Sequence, residues 1–178
     1  MPQGQPAQDR ATPSLVDATL SAMRLQHLNP ADLPDWSKLF SQVVVAESGS
    51  MRIAVVSGQV GVDADQKIAG ETLDVQFDRA CRNLQSALRS AGLGTSDVAK
   101  LTIYIVDSSP ECVEIITKRL SGHFGDRQRP ALSLIGVQAL ARPEFLVEIE
   151  ALAIGAAGSS KTRSTTKHPE DDDPQHDE

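Results

Sequence analysis

Between residues 41 and 60 the apolar positions fall into two β-branched runs, "SQVVVAE" and "RIAVVSGQV", separated by "SGSM". Valine and isoleucine suit a half-buried pleated surface, and the small polar break between the runs predicts a hairpin. "DADQK" reads as the next turn. From Thr72 to Ala91 the period changes: Leu73, Phe77, Cys81, Leu84 and Leu88 recur every three or four residues, which lays one apolar stripe along a helix. Gly92 and Gly94 end it. The unbroken apolar stretch within "VAKLTIYIVD" predicts a strand inside a sheet covered on both faces. Ser109 as cap and Pro110 at the first helical position predict a second helix, reaching about His123. "LSLIGVQAL" and "FLVEIEALAI" then read as two more strands. The order β-β-α-β-α-β-β predicts an α+β domain, one sheet backed by two helices.

The last strand carries a chemical question. In "LVEIEALAI" side chains alternate between faces, so Glu148 and Glu150 point the same way, among Leu146, Leu152 and Ile154. Two carboxylates roughly 6.6 Å apart, twice the strand rise, repel by about 2.5 kcal/mol at an effective dielectric of 20 and by about a quarter of that in water. Such a pair raises one pKa, which suits a group that positions or deprotonates water at neutral pH. The alternative is that both glutamates simply pair with basic or hydroxyl neighbours on the sheet.

Composition narrows the setting. The chain has 178 residues, 40% of them hydrophobic, and a formal net charge of -7. That is one domain with a real core, and it lacks the basic excess of a general nucleic-acid binder. Residues 1–24, rich in Gln, Pro, Ala and Thr, and residues 156–178, with three basic against six acidic side chains, read as disordered tails around a domain at 25–155. His168 and His176 belong to the second tail and read as solvated. Neither a secretory signal nor an apolar stretch long enough to span a bilayer occurs, so a cytoplasmic protein with no membrane partner is expected. Cys81 and Cys112 both fall in predicted helices and read as small packing residues, not as a disulfide. No phosphate loop, paired C-x-x-C, H-E-x-x-H or G-x-S-x-G motif is present, which leaves NTP, zinc, metalloprotease and nucleophile-elbow readings unsupported.

"VVSGQV" with its aspartate-containing turn, "ACRNLQSALRSAG", "VAKLTIYIVD", "RPALSLIGVQALA" and "LVEIEALAI", in that order, resemble the RidA/YjgF family of reactive-intermediate deaminases over roughly Leu25 to Ile154. The resemblance implies a chorismate-mutase-like fold assembled as a homotrimer, with small-molecule clefts at the subunit interfaces. It also implies cofactor-independent hydrolysis of enamines and imines to carbonyl compounds and ammonia.

Carried over residue by residue, the resemblance makes Glu148 the catalytic carboxylate, with Glu150 as its neighbour. Ser57, Gly58 and Gln59 become a cleft wall where the glycine lets main chain approach a ligand. The departures fall at substrate-binding positions. Leu132 stands where the deaminase branch has an arginine that grips the substrate carboxylate, Leu134 where many members have a cysteine, and Phe40 where a tyrosine is common. An arginine to carboxylate contact is worth roughly 1.5 to 3 kcal/mol, so its loss should weaken binding of amino-acid-derived imines by about ten- to a hundredfold. Arg127, Arg129 and Arg142 offer no obvious replacement by spacing. The expectation is a RidA-like hydrolase whose substrate is not the usual carboxylate-bearing imine. The alternative is a non-catalytic trimer that binds a metabolite in the same clefts. RNA cleavage, another activity attached to the family, sits poorly with an acidic chain holding six aromatic residues.

Overall fold

A computed structural model describes residues 25–125 and 129–157, and the two predicted tails lie almost wholly outside them. The described chain forms β1 (Leu25–Leu28), β2 (Val43–Ser48), β3 (Met51–Val60), α1 (Leu73–Ser90), β4 (Val98–Val106), α2 (Pro110–Phe124), β5 (Ala131–Val137) and β6 (Val147–Ala156). A short 3-10 turn at Thr95–Asp97 joins α1 to β4. The strands make a single sheet in the order β1-β2-β3-β6-β4-β5. Every neighbouring pair is antiparallel except β4 and β5, which run parallel because α2 carries the chain back across the sheet.

The local rules act where they were expected. β2 and β3 meet in a two-residue turn at Gly49 and Ser50, with Gly49 at φ 58°. Thr72 caps α1 by accepting from the Val75 amide. Past its end, Gly92 adopts φ 69° while the Leu93 amide bonds back to the Leu88 carbonyl. Ser109 caps α2, with Pro110 in its first turn. Asp74 and Asp78 on α1 receive Arg119 and His123 of α2, which ties the helices together across their solvent side. The described cysteines are both unpaired, and burial pushes the Cys81 thiol pKa far up, so it behaves as a packing residue.

Two features differ from the sequence expectation. β1 is an additional edge strand, paired with β2 through Leu28 and Val43; four residues without a β-branched side chain carry no strand pattern of their own. The helices also cover only one face of the sheet. Val43, Val45, Ala54, Val56, Leu101, Ile103, Ile105, Val147 and Ile149 are buried beneath them together with Phe77, Leu84 and Leu88. On the opposite face Val55, Ile135 and Ile154 are 53%, 40% and 43% exposed, and of β4 there Lys100 and Tyr104 are half-buried and Thr102 is buried. Both glutamates of β6 lie on this second face.

Candidate functional site

The site begins with an irregularity in β3. Val56 pairs with Ala151 and Gln59 with Ile149, so Ser57 and Gly58 together oppose Glu150 alone. This bulge turns Gln59 under the helices while Val60 stays opposite Glu148 on the open face. A Cβ built on Gly58 would lie 1.7 Å from Oε1 of Glu148 and 2.5 Å from its Cδ. The Glu148 carboxyl therefore rests on the bare backbone of Gly58, a seat that only glycine leaves open.

The two glutamates have different partners. The Tyr104 hydroxyl donates to Oε1 of Glu150 at 3.0 Å, and that bond, followed by desolvation and the carboxylate charges, raises the tyrosine pKa. The carboxyl of Glu148, a residue flanked across the strands by Val60 and Tyr104, makes no hydrogen bond to the described residues. Burial first, and then the charge of Glu150, raise its pKa above the ordinary glutamate value.

Glu148 and Gly58 open onto a cavity of about 220 Å³ walled by Trp36, Phe40, Val60, Arg142 and Phe145. Two buried amides fix its walls. Gln42 accepts from Gln59 Nε2 at 2.8 Å and donates to the Pro34 carbonyl at 2.8 Å, joining the bulge to the loop that carries Trp36 and Phe40. Ser57 adds bonds from its amide and hydroxyl to the Gln42 carbonyl. Gln76 of α1 donates to the Glu144 carbonyl and accepts from the Leu146 amide, which holds the segment bearing Arg142 and Phe145. Replacing Gln42 by alanine removes the acceptor of one Gln59 Nε2–H and the donor to the Pro34 carbonyl, so it should lower stability by about 1–3 kcal/mol in denaturant titration.

The structure thus brings Phe40, Gly58 and Glu148 together, with Ser57 and Gln59 serving the bulge from behind. Leu132 and Leu134 are elsewhere in the chain. They pair with Leu101 and Ile103, on the helix-covered face of edge strand β5, two strands away from Glu148. Leu134 packs against the core, and Leu132, 46% exposed, borders a separate cavity with Leu120 and Phe124. Sequence spacing overlooked Gln42, Trp36 and Phe145. It set Arg142 aside, although that side chain stands in the same cavity as Glu148.

Residues 32–155 match the family model for endoribonuclease L-PSP. The chain belongs to this family. Among its relatives, the RutC family protein UK114 of Drosophila melanogaster is 31% identical over 125 residues, covering 69% of this chain and 84% of that protein. The 2-iminobutanoate/2-iminopropanoate deaminase of Salmonella typhimurium is 27% identical over 106 residues, covering 60% and 80%. A solved structure of the Rid-family protein YyfB from Yersinia pestis superposes with a TM-score of 0.56 at 36% identity, covering 72% of this chain and 97% of that one. The RidA/YjgF resemblance and the chorismate-mutase-like α+β fold, here a six-stranded sheet with two helices, are therefore established. No helix among the described residues is long and apolar enough to cross a membrane.

Proposed function

We propose that the chain hydrolyses reactive imines and enamines to carbonyl compounds and ammonia, in clefts formed between three copies of itself. The observation that carries this is Glu148: a carboxyl seated on Gly58, partly withdrawn from water, with its pKa raised and no hydrogen bond inside the described chain, beside a twin already occupied by Tyr104. Such a group is available to a ligand or to water. In the proposed reaction Glu148 takes a proton from a water molecule as its oxygen bonds to the imine carbon, and the proton passes to nitrogen. The resulting carbinolamine then collapses to the carbonyl compound and ammonia, so no redox partner is consumed. The deaminase name of the Salmonella relative supports this chemistry.

A shared cleft explains why the predicted residues separate within one chain. The open sheet face, with Val55, Ile135 and Ile154 exposed, is a surface for other copies, and the free edge of β5 can bring Leu132 of one copy toward the Glu148 cavity of the next. With leucine at 132, that side of the cleft holds substrate by apolar contact, so the imine carries no carboxylate there. The same leucine favours the second reading, a trimer that binds a metabolite without turning it over.

Both are tested by ammonia release from imines generated in situ by amino-acid oxidases, across charged and apolar side chains, with the oligomer mass measured in parallel. The expected result is a trimer that accelerates hydrolysis. Leu132→Arg should raise kcat/KM for imines with a charged head by about ten- to a hundredfold. An inert trimer that gains activity only as Leu132→Arg would favour the non-catalytic reading, and a monomer would remove the shared cleft from both.

A further inference from the structure

The cavity beside Glu148 has a cationic wall that the hydrolytic scheme leaves without a task. The Arg142 guanidinium carbon lies 5.3 Å from the ring centroid of Trp36 and 5.5 Å from that of Phe145, and Nη2 donates to Gln66 Oε1 at 2.9 Å. Arg52, Arg82, Arg89 and Arg119 each pair with a carboxylate, whereas Arg142 pairs with none among the described residues. Phe145 is buried and the Trp36 ring stacks on Phe40, so the guanidinium is held against fixed aromatic surfaces. Rings satisfy the faces of a guanidinium and leave its in-plane N–H fork for acceptors, a geometry that matches a carboxylate. One contact to Gln66 uses only part of that fork.

We propose that Arg142 is the anion-binding residue of this cavity, taking the carboxylate of a small ligand whose apolar body lies against Trp36, Phe40 and Val60. The inference rests on the reading of this cavity as the ligand site. It moves the substrate's anchor from position 132 to the segment before β6, so that the carboxylate binds on the Glu148 side and the apolar end points toward Leu132. Glu148 in the same cavity repels a second anionic group, which favours monocarboxylates over dicarboxylates.

Trp36 is the only tryptophan in the chain, so its fluorescence reports this cavity directly. Benzoate and benzamide, alike in shape and different in charge, are the probes, titrated into the full chain as wild type and as Arg142→Gln. The wild type should bind benzoate about tenfold or more tighter than benzamide, and Arg142→Gln should bind the two about equally while keeping its affinity for benzamide. Equal binding by the wild type, or an unchanged preference in Arg142→Gln, would overturn the proposal. Should that variant fail to fold, the side-chain Nε–H resonance of Arg142 in the wild type decides: a shift with benzoate but not with benzamide supports the assignment, and no shift with either refutes it. Binding needs no turnover, so an inert protein that still prefers benzoate would sink the hydrolase reading alone. An active enzyme that binds both probes equally would sink this inference alone.

Discussion

Glu148→Gln should lower imine hydrolysis by about 10²–10⁴-fold, the range for loss of a positioned acid–base group, while the protein melts at the same temperature as the wild type or higher at neutral pH. The two halves of that expectation have one cause. Burial and the neighbouring charge of Glu150 raise the Glu148 pKa, so the folded state holds its proton in a window where the unfolded chain has released it. Through that window the native state binds more protons, and stability falls as pH rises from the unfolded value through the folded one. Glutamine carries no charge to desolvate and no repulsion from Glu150. The stability gap between variant and wild type should therefore open as pH rises through that window, and calorimetry across it checks the sign. A residue kept for packing would show the reverse, with intact activity and a lower melting temperature.

Gly58→Ala should reach nearly the same loss of activity by geometry alone. The new methyl group would fall 1.7 Å from Oε1, 2.5 Å from Cδ and 2.9 Å from Cγ of Glu148, so the carboxyl must leave its seat. Displacing a reacting group by about 1 Å costs on the order of 10²-fold in rate. The collision is with the outer part of a side chain, and Gly58 has no left-handed φ, so the fold should survive with only modest loss of stability. Gly61→Ala is the contrasting control. Its methyl would meet the Cα and carbonyl oxygen of Gln76 at 2.7 Å and 2.8 Å, backbone of α1 that cannot swing aside. Activity assays and denaturation curves on the two variants should separate cleanly: Gly58→Ala loses rate, and Gly61→Ala loses stability.

What could be read from the sequence and what could not divide along the range of the interactions. The α1 stripe, the Ser109 and Pro110 start of α2, and the alternation that puts Glu148 and Glu150 on one face are local properties, and the structure reproduces them. The mutual seating of Gly58 and Glu148 is not local. It depends on a bulge that shifts β3 by one residue against β6, and β-branched runs look the same with or without it. Gln42 and Gln76 fix the cavity walls through bonds to residues up to 70 positions away, which no spacing rule reports. Spacing does not single out Arg142 because the earlier residues that meet it, Trp36 and Gln66, lie in separate loops of the chain. The resemblance groups Leu132 with Glu148, whereas one chain holds them two strands apart, and only the proposed assembly of copies would bring them together.

The most direct test of Glu148 as the water-activating base is the pH dependence of kcat/KM for imine hydrolysis by the wild type, corrected for the uncatalysed rate. Catalysis should rise with pH through an apparent pKa above that of a free glutamate side chain, because the carboxylate is the active form and its site holds the proton more tightly than water does. Rate enhancement that is flat across the acid-to-neutral range, or that falls as the carboxylate ionises, would contradict that role.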